Sequence, residues 1–142
     1  TVRQKRVLDL ACGSGLVAIA AAQAGAASVL ANDIDPMCAA ALAANADLNG
    51  VAIAWSGVDL LADIVPGIDV VLAGDVFYEQ QVAKRFLGFL RCMHHVGARV
   101  LVGDPGRTYF PRDAFRLLAH YDVVTTTEIE NNPVKTARVW TL

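Results

Sequence analysis

A glycine-rich turn near the start of the chain has the residue types and spacing of a ligand-binding loop. Asp9 lies near the end of a short apolar run, Gly13 and Gly15 follow, and a helical pattern begins at Leu16. Glycine lets the backbone turn sharply and approach a ligand, and the free N–H groups of a helix N-terminus attract an anion. We therefore expect this loop, including Ala11, to bind the carboxylate of a small molecule.

The same spacing fits the dinucleotide fingerprint G-x-G-x-x-G/A, with Ala18 in the last position, so the glycines alone do not decide the ligand. Asp9 favours a bound amino acid over a dinucleotide. A carboxylate four residues before the first glycine would repel a pyrophosphate but can accept hydrogen bonds from the ammonium of a methionine moiety. The alternative is that Asp9 only caps the turn.

A second acidic motif follows the next apolar run, 18 residues beyond Gly15. An acid at the end of a second strand can bind both hydroxyls of an adenosine ribose, and we assign this role to Asp33. Ile34 can cover one face of the adenine. Asp35 precedes Pro36 and is better placed as a helix N-cap. The alternative for Asp33 is a solvated turn acid.

Asp59 follows a third, weaker strand. Its carboxylate can accept a hydrogen bond from the exocyclic amine of an adenine. Acids are common in loops, so a structural role is equally open. Trp55 lies in the strand itself and is expected in the core rather than against a ligand.

The segment from Gly74 to Tyr78 ends the fourth apolar run, beside the expected reversal of strand order where α/β sheets bind ligands. We expect Gly74 to contact the cofactor. Asp75 can orient an amine, while Phe77 and Tyr78 can exclude water and offer π faces to a cation. A buried strand end without function is the alternative.

Arg107 follows the fifth strand in the sequence Asp104-Pro105-Gly106-Arg107, whose Pro-Gly pair fits a type II turn. Together with Arg112 and Arg116 it could present a basic patch to an acidic protein surface. Solvated charge explains the three arginines equally well.

These motifs are positioned by short apolar runs that alternate with helical patterns, the order that builds a parallel sheet with crossover helices. The predicted strands are residues 6–10, 28–32, 51–55, 68–73 and 100–102. The predicted helices are residues 16–24, 36–48 and 113–120, and a further helix after the fourth strand carries an apolar stripe of Val82, Phe86, Phe89 and Met93. Residues 121–130 and 135–142 are predicted strands whose connection is of hairpin length, which requires antiparallel pairing. The fold class is therefore α/β, a Rossmann-like doubly wound sheet of seven strands with a C-terminal antiparallel hairpin.

Together, the glycine loop and the later motifs resemble those of class I S-adenosylmethionine-dependent methyltransferases. The motifs at residues 32–36, 74–78 and 104–107, in this order, more narrowly resemble the electron transfer flavoprotein β-subunit lysine methyltransferases. The resemblance runs nearly end to end. It implies methyl transfer from S-adenosylmethionine to a lysine of a protein, with that flavoprotein subunit as the expected partner. It assigns the glycine loop and Asp33 to the cofactor and the segment 75–78 to the lysine pocket. Such families also carry an N-terminal segment that closes the cofactor site, so we expect residues 1–142 to be a single domain lacking that segment.

Three other functions stay open: a small-molecule N-methyltransferase acting on a nicotinamide-like acceptor, an NAD-dependent oxidoreductase, and an inactive cofactor-binding module. The composition also argues against nucleic-acid partners and a membrane span. A net charge of -2 gives no positive field to hold nucleic acid, and no apolar run is long enough for a membrane span. The three cysteines lack metal-ligand spacing and are odd in number, so we expect no metal site and a reducing compartment, the cytoplasm or the mitochondrial matrix.

Overall fold

The computed structural model describes residues 1–124 and 134–142. The strands that these residues form are β1 (Arg6–Leu10), β2 (Ser28–Asn32), β3 (Ala54–Ser56), β4 (Val70–Gly74), β5 (Arg99–Asp104), β6 (Arg116–Val124) and β7 (Val134–Thr141). The helices within the same ranges are α1 (Leu16–Gln23), α2 (Pro36–Leu48) and α3 (Gln80–His95), and a 3-10 turn covers Arg112–Ala114.

The strands make one sheet in the order β3-β2-β1-β4-β5-β7-β6. β1 to β5 are mutually parallel, while β7 runs antiparallel to both β5 and β6. The predicted seven-stranded class and its antiparallel C-terminal pair are thus confirmed. Residues 125–130 of the predicted strand 121–130, and residues 131–133 of the predicted connection, lie outside the described residues. The chain runs outward from β1 to β3 and then returns to β4 on the other side of β1. The reversal opens a crevice at the carboxyl ends of β1 and β4.

The core lies on both faces of the central strands. On one face the predicted stripe of α3 packs against β4 and β5, with Phe86, Phe89 and Met93 buried. On the other face the alanine-rich α1 and α2 pack against β1 and β2 through small side chains such as Ala18. Because β1 and β4 are covered on both sides, their carboxyl-end loops are held on rigid supports.

The predicted helix at 113–120 is wrong, because the chain forms only a short 3-10 turn before β6 begins at Arg116. The antiparallel ladder with β7 satisfies the backbone of this segment, and such tertiary pairing overrides a local helical pattern. A smaller difference concerns β3, which starts at Ala54 rather than residue 51. This strand is at the sheet edge, so Trp55 is exposed and not in the core as predicted.

Candidate active site

A cavity of about 480 Å³ opens where the strand order reverses. This volume lies in the range of small-molecule sites. Seven of the residues predicted from the sequence line it: Ala11, Asp33, Ile34, Asp59, Gly74, Asp75 and Tyr78. The carboxyl ends of adjacent strands therefore bring together motifs that are far apart in the chain.

The glycine loop after β1 shapes one wall of this cavity. Ala11, with a φ of 56°, is one of the few non-glycine residues in the left-handed region, a conformation that costs a residue with a Cβ. Gly15 has a φ of 88° and precedes α1, and a Cβ at this position would collide with the Leu42 side chain of α2. Gly13 and Gly15 do not line the cavity. Their role in the structure is to let the backbone follow the path of the loop.

Asp9 lies behind the loop, with only 1% of its surface exposed. Its Oδ2 accepts a hydrogen bond from the backbone N–H of Ala18 at 2.8 Å, in the first turn of α1. Burial raises the pKa of Asp9 to about 7, the Ala18 hydrogen bond opposes this rise, and the nearby charge of Asp33 adds to it. This hydrogen bond matches the alternative in which Asp9 only caps the turn. Contact between Asp9 and the ammonium of a ligand stays a prediction.

Asp33 faces the cavity from the end of β2. Its Oδ2 accepts the N–H of Gly13 at 2.9 Å and its Oδ1 accepts the N–H of Asp35 at 3.0 Å. Asp35 caps α2 by accepting the N–H of Met37 at 2.9 Å, as predicted. Ile34 is 69% exposed at the cavity wall, where its side chain can cover an adenine ring.

Asp59 forms an ion pair with Arg85 of α3, whose Nη2 lies 2.6 Å from Oδ2. Its Oδ1 accepts the N–H of Leu61 at 3.1 Å. The hydrogen bond from Arg85, followed by that from Leu61, lowers the pKa of Asp59. Arg85 also lines the cavity, and sequence reasoning missed it because nothing in the local pattern of α3 points to an acid 26 residues earlier.

Asp75 directly follows β4 and has a φ of 55°, again in the left-handed region. Its carboxylate makes a bidentate pair with Arg107, with Nε donating to Oδ1 and Nη2 to Oδ2, each at 2.6 Å. Asp104, buried at the end of β5, accepts the backbone N–H groups of Gly106 and Arg107 and so fixes the turn. Arg107 therefore contacts Asp75, one of the acids that line the cavity, and is more than a solvated surface charge.

Phe77 and Tyr78, which were assigned together to the acceptor pocket, point to different environments. Phe77 is 0% exposed and packs edge-on against Phe110 and Phe115, with ring centroids 5.3 Å and 6.0 Å away. It therefore lies in the core and offers no face to the cavity. Tyr78 is 61% exposed and lines the cavity.

The described residues 1–124 and 134–142 contain no group of three histidine, cysteine or acidic side chains able to hold a metal ion. Within the same ranges, no helix combines the length and apolar character that a bilayer span requires.

Solved methyltransferases share this architecture. The ribosomal protein L11 methylase of Lactobacillus delbrueckii subsp. bulgaricus superimposes with a TM-score of 0.67 at 25% identity, over 99% of this chain and 70% of that one. The magnesium protoporphyrin IX methyltransferase of Synechocystis, solved with bound S-adenosylmethionine, superimposes with a TM-score of 0.69 at 18% identity, over 99% of this chain and 71% of that one. The fold is therefore that of the class I methyltransferases.

Residues 1–75 match the family described as Ribosomal protein L11 methyltransferase (PrmA), and the chain belongs to this family. Over nearly its whole length it is also similar to curated proteins named electron transfer flavoprotein beta subunit lysine methyltransferase. The Danio rerio protein is 38% identical over 96% of this chain and the Homo sapiens protein 36% identical over 98%. The chain spans 55% of the length of each of these two relatives.

Proposed function

We propose that the protein transfers a methyl group from S-adenosylmethionine to a lysine side chain of a protein, and that this substrate is the electron transfer flavoprotein β subunit. The structural observation that carries the proposal is that Asp33 and Asp75 line one cavity from the two strands on either side of β1. The identity to the lysine methyltransferases over nearly the whole chain supports the substrate.

The residues present fit this cofactor. Asp33 offers carboxylate oxygens to a pair of ribose hydroxyls, and the exposed Ile34 offers an apolar surface to an adenine. Among the described lining residues, four acids outnumber the single basic residue, Arg85, and this balance suits a cationic ligand. Asp59 is oriented by Arg85 and Leu61 and keeps lone-pair capacity for an adenine amine.

S-adenosylmethionine supplies a methyl group on a positively charged sulfur, and when an amine lone pair attacks the methyl carbon, both electrons of the carbon–sulfur bond go to sulfur. The chain's part is then mainly to position the acceptor. Asp75 accepts a hydrogen bond from the acceptor amine and aligns it, while Tyr78 shields the cavity mouth from water. The amine loses its proton to water, since methyl transfer itself needs no protein base.

We infer that residues 1–142 form one methyltransferase domain, and that the protein works in the cytoplasm, or in the mitochondrial matrix of a eukaryote. Its three cysteines are free thiols, which suits a reducing compartment. A nicotinamide-like small molecule is the second candidate acceptor, because the cavity could admit a free amine or a ring nitrogen as well as a side chain.

Labelled S-adenosylmethionine tests the proposal. The protein is incubated with the electron transfer flavoprotein β subunit, with ribosomal protein L11 and with nicotinamide, and the label is located by mass spectrometry. Label on a lysine of the flavoprotein subunit, incorporated more slowly by Asp75→Ala, supports the proposed function. Label on L11 or nicotinamide alone would contradict the substrate. Calorimetry showing NAD binding more tightly than S-adenosylhomocysteine would contradict the whole class.

A further inference from the structure

The ion pair between Asp75 and Arg107 is placed where the charge of the acceptor amine matters. Among the described residues that line the cavity, the acids are Asp33, Asp59, Asp75 and Glu79. Arg107 reaches Asp75 from the loop after β5, and its guanidinium contacts both carboxylate oxygens at 2.6 Å. Arg107 thus balances the charge of Asp75, as Arg85 balances that of Asp59.

An unpaired carboxylate beside the acceptor would work against the proposed reaction. A free lysine has a pKa of about 10.4, and a negative charge within a few ångströms raises the pKa of an amine further. A protonated amine has no lone pair to attack a methyl carbon. An isolated Asp75 would therefore attract the right side chain in the unreactive protonation state.

We propose that Arg107 neutralises Asp75 so that the acceptor lysine enters the cavity as a free amine. Arg107 is then a positioning residue that acts through Asp75, and this role rests on the function proposed above. Arg107 takes one lone pair on each carboxylate oxygen, and the remaining ones can still accept an N–H of the amine. The pair thus orients the acceptor without favouring its charged form.

The two turns that carry the pair hold it independently of any ligand. The carboxylate of Asp104 fixes the backbone of Arg107 at 2.8 Å, and the backbone N–H of Asp75 donates to Gly103 O at 2.8 Å. Asp75 thus binds the end of β5, while Arg107 reaches back from the loop after that strand. Because hydrogen bonds to the backbone fix both partners at the ends of adjacent parallel strands, the ion pair is not a chance surface contact.

The other charged and titratable groups near the pair are all kept when Arg107 is replaced, and they include Asp104 and Arg138 beside the turn at 104–107. Tyr78 and Glu79 precede α3 on the side of Asp75, and Arg85 of α3 is paired with Asp59. Asp33 faces the cavity from β2. Because these groups are present in both proteins, we attribute a shift in the pH dependence to the charge of Arg107.

The test is the pH profile of the single-turnover methylation rate with the electron transfer flavoprotein β subunit. In Arg107→Gln we expect the acidic limb to move upward by about one pH unit or more, so that the rate at neutral pH falls roughly tenfold and recovers as the pH rises. Arg107→Lys keeps the charge and should restore most of the profile. Affinity for S-adenosylhomocysteine, measured by calorimetry, should stay unchanged in both variants.

Arg6→Gln is the matched control. Arg6 makes the same type of two-contact pair with Asp69 at the start of β1, away from the cavity, and its replacement changes the net charge equally. Its profile should overlap that of the parent protein. Since Asp75 and Arg107 are each about half exposed (47% and 46%), we expect Arg107→Gln to fold, and Arg107→Met is a second neutral variant.

The outcomes separate the two proposals. Overlapping profiles for the parent and Arg107→Gln, or a rate lowered by the same factor at every pH, would overturn the role of Arg107 while leaving the function intact. Absence of transfer by the parent protein, with normal binding of S-adenosylhomocysteine, would overturn the proposed function and the role of Arg107 with it.

Discussion

The backbone N–H of Gly13 donates to Oδ2 of Asp33 at 2.9 Å and joins the glycine loop after β1 to the acid after β2. The second oxygen of this carboxylate accepts the N–H of Asp35. The carboxylate is therefore fixed before any ligand arrives, yet each oxygen keeps a lone pair for a further donor. A group oriented in advance loses little entropy on binding, so Asp33 is well suited to hold two adjacent hydroxyls.

We expect Asp33→Ala to weaken binding of S-adenosylhomocysteine. Hydrogen bonds to a charged group contribute about 1.5–3 kcal/mol, so the dissociation constant should rise roughly ten- to hundredfold. Isothermal titration calorimetry measures this change. The variant also frees the N–H of Gly13, and the melting temperature shows how much of the effect is a loosened loop.

Asp35→Ala is the matched control for this measurement. Asp35 caps α2, so its loss should cost about 1 kcal/mol of stability and leave the dissociation constant nearly unchanged. An unchanged affinity in Asp33→Ala together with a weakened one in Asp35→Ala would reverse the two roles.

A second prediction concerns the pH dependence of stability and Asp9. In the folded protein its pKa of about 7 lies above the ordinary value of 3.8, so between these values the folded state binds a proton that the unfolded state has lost. The contribution of Asp9 to the free energy of unfolding is therefore largest at low pH. It declines as the pH rises through this window, by at most about 4 kcal/mol, and is constant above it.

Asp9→Asn tests this sign. The amide keeps an acceptor oxygen for the N–H of Ala18 but carries no charge to bury. The melting temperature of the variant minus that of the parent should therefore increase between about pH 4 and pH 7 and then level off. A difference that is constant or that shrinks over this range would show that Asp9 is not held as a neutral acid.

Much of the site was predictable because strong local signals mark it. The strand–turn–helix units around Gly15 and Asp35 have clear breakers and caps, and parallel topology then brings their loops to one edge. The pairs Asp59–Arg85 and Asp75–Arg107 were not predictable, because the partners lie 26 and 32 residues apart and no spacing rule links them.

Two errors have a shared physical reason. The segment after residue 113 has a helical pattern, but pairing with β7 makes it a strand. Phe77 follows an acid of the site, but its ring turns into the aromatic cluster with Phe110 and Phe115. In both places tertiary packing determines the conformation, and local sequence patterns do not contain that information.

The different surroundings of Phe77 and Tyr78 yield a third prediction. Phe77→Ala should lower the free energy of unfolding by about 3–5 kcal/mol, because it leaves a cavity in the core. Tyr78→Ala should change stability by no more than about 0.5 kcal/mol and lower the methylation rate instead. Denaturant unfolding and single-turnover assays on both variants check this. Equal losses of stability would contradict the separation of the two side chains.

The last prediction concerns Asp75 itself. If Asp75 orients the acceptor amine, Asp75→Ala should lower methyl transfer roughly ten- to hundredfold, because a charge-assisted hydrogen bond is lost. Affinity for S-adenosylhomocysteine should remain nearly intact, since the lost interaction serves the acceptor and not the adenosine. Rate and cofactor binding should therefore separate.

The stability of Asp75→Ala needs a separate control, because residue 75 has a left-handed backbone conformation that alanine tolerates poorly. Asp75→Asn accepts this conformation more readily and keeps one acceptor oxygen, so it should be more stable than Asp75→Ala and retain more of the rate. A purely structural acid predicts instead that stability, cofactor affinity and rate decline together. Melting temperature, calorimetry and single-turnover rate on one protein batch distinguish the two. A well-folded Asp75→Ala protein that transfers methyl at the parental rate would remove the reason for placing an amine beside this side chain.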